Sequence, residues 1–430
     1  MSTVRDHVEE LTWRGLLHDS MPGTRDYLNQ GPASGYIGFD PTADSLHVGN
    51  MVQIMMLKHF QESGHRPIAL VGGATGMVGD PSGKSSERNL LSEEELRHNQ
   101  HRVGQQLERF LDFKSKVRPA ELVNNYDWFK DMGFLTFIRD VGKHIPVGYM
   151  LAKDSVKNRM ETGISFTEFT YQLVQGYDFY WLYKHKGCKL QMGGSDQWGN
   201  ITTGTELIRR MDGGEAYALT TPLLTKADGS KFGKSEGGNI WLDSARTSPY
   251  KFYQFWRNVT DVDAVKLIRI FHPFTRDVVE LHIANHSQNP EQGGLQKELA
   301  RVVTDMVHGS EAARTAYSVS RLLFDKSLST KDSLSEFTDA AFFALYDEIP
   351  SATVSKQAIL SGMGLLQLLT EETDMLPSKA EAKRALQEGS IYLNRERMVG
   401  DCDLGEYNLI SGMFILLQRG KKNYFLVKAV

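Results

Sequence analysis

Short apolar runs alternate with longer amphipathic stretches over the first half of the chain. The runs that predict β-strands lie at residues 36–40, 67–71, 121–124 and 189–192. Apolar residues at helical spacing separate them, for example over 52–63 and 93–113. This alternation is typical of a parallel sheet with helices on both faces, which binds ligands beyond the carboxyl ends of its strands. We therefore predict an α/β domain with a parallel sheet over residues 1–222.

The pattern becomes helical after residue 222. Apolar spacing over 248–324 shows few strand signals, so we predict a helical domain over residues 223–324. The stretch 325–335 is rich in serine and charged residues. It begins a predicted linker region that covers 325–353.

The last part of the chain, residues 354–430, is predicted to form a small α/β domain. Ser378 and Glu381 have the spacing of a capping box, and Gly389 follows as a stop for that helix. Apolar runs predict strands at 391–394, 414–418 and 423–427. The last two strands are predicted to form a hairpin around the basic residues of 419–422.

Composition is that of an ordinary globular protein. The 430 residues are 40% hydrophobic and 24% charged, which suits about two to three domains. Cys188 and Cys402 are far apart in sequence, so neither a zinc ribbon nor a disulfide framework is expected. The N-terminus lacks a signal-peptide core, and no apolar run approaches the length of a membrane span. These features favour a cytoplasmic enzyme.

Charge is unevenly distributed along the chain. The formal net charge is −4, whereas residues 377–430 carry nine Lys or Arg and six Asp or Glu, a net of +3, which leaves −7 for the remainder. The C-terminal segment is therefore the region best suited to a polyanion. Charge counts alone, however, favour an ordinary solvated surface.

Two short motifs point to nucleotide chemistry. Residues 47–50 read His-Val-Gly-Asn, and residues 231–235 read Lys-Phe-Gly-Lys-Ser. They resemble the HIGH and KMSKS signatures of class I aminoacyl-tRNA synthetases and related nucleotidyltransferases. Each is weak alone, but in this order and with an α/β pattern between them they are strong. Such imidazole, amide and ammonium donors hold a triphosphate while one phosphorus is attacked.

A glycine-rich loop follows the second predicted strand. Residues 72–85 end in Gly-Lys-Ser as a Walker P-loop does, but Val78 stands where that motif requires glycine. One interpretation is a tight strand-to-helix turn. The density of glycine beside Asp80, Lys84 and Arg88 favours a loop that cradles a ligand.

Three polar residues share one face of a helix predicted over 163–186. Tyr171, Gln175 and Asp178 are spaced four and three residues apart. They could bind an amino acid or form a polar surface stripe. The apolar residues around them favour a pocket.

The resemblance to bacterial tyrosyl-tRNA synthetases is specific and covers essentially the whole chain. It rests on segments that occur in the family's order: 36–47, 72–84, 163–169, 193–201 and 231–235. It implies a Rossmann-like catalytic domain, a helical anticodon-region domain, and a small C-terminal RNA-binding domain.

For matching residues, the resemblance implies a tyrosine pocket. Tyr36 and Asp178 are expected to bind the substrate phenol. Tyr171, Gln175 and Asp80 are expected to bind its ammonium group, and Gln197 is expected near its carboxylate.

The resemblance also implies nucleotide and RNA contacts. The residues expected to bind ATP are Asp40, Gly49, Asn50, Gly194, Asp196 and Lys234. The groups expected to act on the triphosphate or the departing pyrophosphate are Thr42, His47, Lys84, Arg88, Lys231 and Lys234. The residues expected to bind tRNA are Arg209, Arg210, Lys379, Lys383, Arg384, Lys421 and Lys422.

The chain departs from both signatures. Asn50 replaces the second histidine of HIGH, and an amide can still donate a hydrogen bond to a ribose oxygen. Phe232 and Gly233 replace the Met and Ser of KMSKS.

The implied activity is that of a tyrosine–tRNA ligase, which forms tyrosyl-adenylate from tyrosine and ATP and then charges its tRNA. Mg²⁺ is expected with ATP, and no zinc or other protein-bound metal is expected. A homodimer is implied, and Trp128, Phe129, Phe134 and Phe137 are either its interface or ordinary core. The alternatives are a tryptophan-specific relative, a small-molecule nucleotidyltransferase and a non-catalytic RNA-binding homologue.

Overall fold

The computed structural model describes residues 4–82, 91–160, 163–235 and 238–430, and only the backbone of Lys234 and Ser235. The described chain divides into two compact units. The first spans Met1–Thr247 and Trp256–Val307, and the second spans Ser248–Phe255 and His308–Val430. Among the described residues, no helix is long and apolar enough to cross a membrane.

The first unit is built on a mostly parallel sheet. Its described strands are β1 (Asp19–Ser20), β2 (Ser34–Phe39), β3 (Arg66–Val71), β4 (Glu121–Asn124), β5 (Leu190–Gly194) and β6 (Tyr217–Thr221). They lie in the order β1-β6-β5-β2-β3-β4, and only β1 pairs antiparallel. The chain runs outward from β2 to β4 and then resumes on the other side at β5. The order therefore reverses between β2 and β5, where such sheets bind ligands.

Helices surround this sheet and continue beyond it. Up to residue 308 they are α1 (His7–Arg14), α2 (Thr24–Asn29), α3 (Val48–Glu62), α4 (Thr75–Val78), α5 (Glu93–Leu107), α6 (Tyr126–Phe129), α7 (Phe134–Asp140), α8 (Val147–Leu151), α9 (Asp154–Met160), α10 (Phe166–Lys186), α11 (Trp198–Asp212), α12 (Pro249–Arg257), α13 (Asp261–Phe271), α14 (Arg276–Gln288) and α15 (Gly294–His308). A small antiparallel pair, β7 (Lys234–Ser235) and β8 (Gly238–Asn239), lies before α12.

Local capping explains where the central helices begin and end. The apolar pattern predicted α3 from residue 52, but it begins at Val48 because His47 and Asn50 form a capping box. Ser165 caps α10 by accepting a hydrogen bond from the backbone of Glu168. The same helix ends at Gly187, whose φ of 61° lies in the left-handed region that favours glycine. Most apolar side chains of α3 are buried, as are Leu173, Phe179 and Leu182 of α10, so both helices are fixed by their caps and by packing.

The second unit contains an α/β arrangement with a mainly antiparallel sheet. Besides most of α12, its helices are α16 (Ser310–Phe324), α17 (Asp339–Tyr346), α18 (Lys356–Leu360), α19 (Leu365–Gln367) and α20 (Lys379–Gln387). Its strands are β9 (Ser351–Val354), β10 (Ile391–Leu393), β11 (Glu396–Met398), β12 (Phe414–Arg419) and β13 (Asn423–Ala429). The order is β11-β10-β12-β13-β9, with β9 parallel to β13. The predicted hairpin is β12–β13.

The compact units differ from the predicted domain boundaries. Residues 308–324 group with the C-terminal residues rather than with a separate helical domain over 223–324. The predicted linker 325–353 is also part of the second unit, because Leu328, Leu334 and Phe337 are buried in a cluster with Phe414 of β12. The serine-rich composition concealed these widely spaced apolar residues. The sheet itself begins at Ser351, before the predicted start at 354.

Candidate active site

Chemistry-bearing residues gather at the carboxyl ends of the parallel strands. Asp40 follows β2, Gly72 follows β3, and Asn125 follows β4. Gly194 and Thr221 end the neighbouring strands β5 and β6. The sheet therefore brings together residues that are far apart in sequence, at the edge where the strand order reverses.

The predicted phenol-binding pair, Tyr36 and Asp178, lies at the centre of this site and is buried. Asp178 accepts hydrogen bonds from Asn125 Nδ2 at 3.0 Å and Trp128 Nε1 at 2.9 Å. Burial raises the pKa of Asp178 to about 8, and these hydrogen bonds offset only part of that effect. Burial and the charge of Asp178 raise the pKa of the Tyr36 phenol well above its ordinary value. No described group hydrogen-bonds to the Tyr36 hydroxyl.

Asn125 and Trp128 were not predicted as site residues. The sequence indicated Trp128 only as interface or core, and its indole stacks on Trp181 with ring centroids 4.3 Å apart. A position directly after a predicted strand could have identified Asn125, since ligands bind at strand ends. The contact of Trp128 with Asp178 depends on the short helix α6 and had no sequence signal.

Tyr171 and Asp40 are joined at the other end of the site. The Tyr171 hydroxyl donates to Asp40 Oδ2 at 2.8 Å, and Thr75 Oγ1 donates to Asp40 Oδ1 at 2.8 Å. Burial, with the charges of Asp40 and Asp80, raises the pKa of Tyr171 well above its ordinary value. Tyr171 therefore stays neutral and keeps its hydroxyl oxygen available as an acceptor.

Asp80 and Gln197 are in direct contact. Gln197 Nε2 donates to Asp80 Oδ2 at 2.7 Å, and Ser82 N donates to Asp80 Oδ1 at 2.9 Å. Gln175 Oε1 is buried, and among the described groups none donates to it. The two predicted ammonium ligands Asp80 and Gln175 thus present oxygen acceptors, as an ammonium group requires.

The two signature segments meet within the first unit. His47 Nδ1 accepts a hydrogen bond from Gly49 N at 3.0 Å, which puts the proton of the neutral imidazole on Nε2. Asn50 Oδ1 accepts from His47 N at 3.0 Å, so it caps α3. A β-carbon at Gly233 would lie 3.0 Å from Gly49 N. The loop is anchored by Phe232, which packs on Trp256 and Phe271.

Other predicted nucleotide and catalytic residues are only partly placed. Thr42, Lys231 and Asp196 are exposed. Gly194 lies beside Asp196, since a β-carbon on Gly194 would lie only 2.5 Å from Asp196 Oδ1. Lys84 and Arg88 lie outside the described residues, as does the side chain of Lys234.

The predicted tRNA-binding residues lie in two regions. Arg209 and Arg210 lie in the last turn of α11 and are both paired with Glu206, whose pKa their hydrogen bonds lower to about 2. In the second unit, the exposed basic residues of α20 and of the β12–β13 turn are Lys379, Lys383, Arg384, Lys421 and Lys422. Arg419 Nη2 donates to Glu381 Oε1 at 2.8 Å, so the helix and the hairpin are adjacent.

A histidine cluster that the sequence did not indicate lies in the first unit. His272, His282 and Glu298 bring potential ligand atoms within 4.8 Å of one another. His282 lies on α14, Glu298 lies on α15 and His272 directly follows α13, which explains why spacing along the chain gave no signal. Hydrogen bonds from His272 and Arg301 lower the pKa of Glu298 to about 2. Glu298 thus already has a cationic partner in Arg301.

The aromatic residues considered for an interface divide between core and surface. Phe129 and Phe137 contact each other and Tyr177. Phe134 is 63% exposed, and the neighbouring Leu135 is 79% exposed. One side of α7 therefore packs against the core through the partly buried Phe137, and the other is an apolar surface.

Family comparisons match both units. The family described as tRNA synthetases class I (W and Y) matches residues 28–325. The family described as the tyrosine–tRNA ligase SYY-like C-terminal domain matches residues 342–427.

Individual relatives match nearly the full length. A protein of Porphyromonas gingivalis named tyrosine–tRNA ligase is 56% identical over 427 residues, which are 98% of this chain and 99% of that protein. One of Bacteroides thetaiotaomicron with the same name is 54% identical over 428 residues, again 98% of this chain and 99% of the relative. Among solved structures, a C-terminally truncated mitochondrial tyrosyl-tRNA synthetase of Aspergillus nidulans is 32% identical, with a TM-score of 0.67, and covers 74% of this chain and 94% of its own.

Proposed function

Since the chain belongs to the class I tyrosyl-tRNA synthetases and is a tyrosine–tRNA ligase, we propose that the site around Tyr36 and Asp178 binds the phenol of its substrate. The observation that carries this proposal is the buried Tyr36 hydroxyl, which has no described partner and whose pKa is raised by burial and by the charge of the buried Asp178. A substrate hydroxyl donates to Asp178 and accepts from Tyr36. The relatives support this activity and not the tryptophan-specific, nucleotidyltransferase or non-catalytic alternatives.

Discrimination against phenylalanine follows from the same pair. When phenylalanine enters, the buried polar groups lose the partner that tyrosine supplies. A site of this kind rejects the analogue by roughly 10⁴–10⁵, the discrimination known for this enzyme family.

The substrate ammonium group is held by oxygen acceptors at the other end of the site. Asp80 supplies a carboxylate, Tyr171 supplies a hydroxyl oxygen, and Gln175 supplies a buried amide oxygen. An ammonium group has three donors and no acceptor, so these groups match it. Gln197, fixed on Asp80, lies near the carboxylate that reacts.

Activation then requires alignment and charge stabilisation. The tyrosine carboxylate is ionised at neutral pH and attacks the α-phosphorus of ATP directly, which forms tyrosyl-adenylate and releases pyrophosphate. His47 Nε2 and Thr42 contact the triphosphate, while Lys84, Arg88, Lys231 and Lys234 hold the departing pyrophosphate. The ATP site includes Asp40, Gly49, Asn50, Gly194 and Asp196. ATP enters with its Mg²⁺ as substrate, and zinc is not required.

Transfer to tRNA uses basic residues of both units. Arg209 and Arg210 receive the acceptor end. The basic residues of α20 and of the β12–β13 turn bind the body of a tRNA specific for tyrosine. Phosphate contacts of this kind supply affinity that depends on salt. We propose that the enzyme acts in the cytoplasm, the compartment expected from the sequence.

The enzyme works as a homodimer in this proposal. The exposed side of α7, with Phe134, Leu135 and Ile138, supplies part of the interface. An apolar surface of this kind, next to the site through Phe137 and Tyr177, is typical of association between subunits.

Amino-acid-dependent exchange of pyrophosphate into ATP tests the activity. The purified protein should catalyse exchange with tyrosine and not with tryptophan or phenylalanine. Equal exchange with tryptophan, or exchange with no amino acid, would contradict the proposal. Charging of total tRNA with labelled tyrosine then tests the second step.

A further inference from the structure

A continuous chain of hydrogen bonds links Asp178 to Tyr171. Asn125 Nδ2 donates to Asp178 Oδ2 at 3.0 Å and to Thr75 Oγ1 at 3.1 Å. Thr75 Oγ1 donates to Asp40 Oδ1 at 2.8 Å, and Tyr171 Oη donates to Asp40 Oδ2 at 2.8 Å. This hydrogen-bond chain therefore connects the phenol end of the site with Asp40 and the ammonium end.

The direction of this chain is fixed by its surroundings. Ala74 N donates to Asn125 Oδ1 at 2.6 Å, so both amide protons of Asn125 point toward Asp178 and Thr75. The Thr75 hydroxyl accepts one of them and must give its own proton to Asp40. Thr75 is 2% exposed and Asn125 is fully buried, so solvent is a poor substitute for either partner.

The glycine-rich loop is shaped around this chain. A β-carbon at Gly72 would lie 2.2 Å from Asp40 Oδ1 and 2.3 Å from Thr75 Oγ1. A β-carbon at Gly73 would lie 2.2 Å from Asn124 Oδ1. Glycine is therefore required where the backbone passes the Asp40–Thr75 contact, which marks that contact as a built part of the site.

We propose that Thr75 is a positioning residue that couples the orientation of Asp178, through Asn125, to the orientation of Asp40. The proposal rests on the proposed function, in which Asp178 binds the substrate phenol and Asp40 belongs to the ATP site. Loss of the Thr75 hydroxyl leaves a buried amide proton of Asn125 and an oxygen of Asp40 without this partner. Both ends of the site then lose alignment, although Thr75 contacts neither the phenol nor ATP in the proposal.

Thr75→Val tests this role because it removes the hydroxyl and keeps the branched shape. Thr75→Ser is the matched control, since it retains the hydroxyl and removes only a methyl group. Pyrophosphate exchange gives kcat/KM for tyrosine and for phenylalanine, and the KM for ATP, on one preparation of each variant. The ratio of the two kcat/KM values does not depend on the folded fraction, so simple destabilisation leaves it unchanged.

The expected result is that Thr75→Val lowers the tyrosine-to-phenylalanine ratio roughly tenfold and raises the KM for ATP roughly threefold or more, the scale of one buried hydrogen bond to a charged group. Thr75→Ser should restore both values. An unchanged ratio in a folded Thr75→Val enzyme overturns the proposal, as does a lowered ratio with an unchanged KM for ATP. If Thr75→Val does not fold, Thr75→Ala removes the hydroxyl without placing a methyl group against Asp40.

Two further controls separate this proposal from the function on which it rests. Wild-type enzyme that shows no tyrosine-dependent exchange contradicts the function itself. If Asp178→Asn retains the full preference for tyrosine over phenylalanine, Asp178 does not recognise the phenol. Only when the wild type and Asp178→Asn behave as proposed do the Thr75 variants report on coupling.

Discussion

A β-carbon at Gly233 would lie 3.0 Å from the backbone nitrogen of Gly49, so the two signature segments touch where neither carries a side chain. Gly233 also has a φ of 86°, in the left-handed region that favours glycine. Backbone hydrogen bonds extend the contact, from Ile240 N to Gly233 O and from Val48 N to Ile240 O. The Lys-Phe-Gly-Lys-Ser loop is thus held against the start of α3.

Gly233→Ala should slow adenylate formation roughly tenfold or more, because both the strained φ and the close contact displace the loop from α3. Tyrosine affinity should change little, since the tyrosine site lies elsewhere in the unit. Gly229→Ala is the matched control: its φ is 82°, but a β-carbon there meets nothing within 4 Å. Single-turnover adenylate formation measures the effect, and equal losses in both variants would show that the contact with Gly49 is unimportant.

Asp178→Asn should abolish the part of the pH dependence of tyrosine affinity that comes from ionisation of Asp178. The pKa of Asp178 is about 8 in the empty site, and a substrate phenol that donates to it favours the ionised form. Wild-type affinity for tyrosine should therefore rise as pH increases through about 8. Because the amino group of tyrosine also titrates, the measure is the difference between the two proteins in equilibrium titrations from about pH 6 to 9. Identical profiles would exclude Asp178 as the titrating group.

Acid should destabilise the first unit through buried histidines. Burial lowers the pKa of His65 from 6.5 to about 4, and burial also lowers that of His7, whose ring lies 6.0 Å from His65. The unfolded chain then binds more protons than the folded one between these pH values. Stability is complete above about pH 6.5 and falls as the pH approaches 4, by up to about 3 kcal/mol from His65.

Urea unfolding at about pH 7 and about pH 5 checks this expectation. His65→Gln should show a smaller loss of stability on acidification than the wild type, because the titrating ring is gone. His101→Gln, on the exposed side of α5, is the control and should behave as the wild type does. An equal loss in His65→Gln and the wild type would assign acid sensitivity to other groups.

Deletion of residues 354–430 should damage more than RNA binding. It removes Phe414, Leu416 and Leu426, which pack with Val319 and Leu322 of α16. The protein ending at residue 353 should therefore bind hydrophobic dyes and aggregate, whereas deletion of residues 308–430 removes that cluster almost completely. Both proteins should retain pyrophosphate exchange per folded molecule and lose most tRNA charging. A soluble, stable protein ending at residue 353 would show that residues 308–353 fold without the C-terminal sheet.

Neutralising Lys421 and Lys422 should weaken tRNA binding and flatten its dependence on salt. For every phosphate that the RNA-binding surface of the protein no longer neutralises, the magnitude of the slope of log K against log salt should decrease by about 0.7 to 0.9. A double change to Gln is measured against Lys326→Gln, which alters an exposed lysine of the same unit. An unchanged slope with unchanged affinity would exclude the hairpin turn from the RNA surface.

The sequence predicted four of the five described parallel strands of the first unit, because their apolar runs are short, continuous and bounded by turns, and it missed β6 (Tyr217–Thr221). Predicted runs at 36–40, 67–71, 121–124 and 189–192 correspond to β2, β3, β4 and β5, with shifts of one or two residues at most ends. It predicted unit boundaries less well. The buried residues Leu328 and Leu334 are isolated among polar neighbours, and their burial depends on strands that come much later in the chain.

Within the site, it was harder to predict which side chains contact each other than to predict which residues belong to the site. Asn50 was expected at the ATP site, where it remains a proposal, but its role as the cap of α3 follows from local geometry alone. Asn125 lies in no motif, and Thr75 lies in the glycine-rich segment without any signal of its own, because the importance of both comes from contacts with Asp178 and Asp40. The density of glycine after β3 is plain in the sequence, whereas the groups that require it become visible only in the fold.

The fluorescence of Trp128 should report on the state of the amino-acid site. Its ring N–H is bound to Asp178, and its face is stacked on Trp181. Any change in the charge or hydrogen bonding of that carboxylate alters the electric field on the indole and so shifts its emission. Filling of the amino-acid site should therefore change the intrinsic fluorescence, and comparison with Trp128→Phe would identify which part of the change comes from this ring.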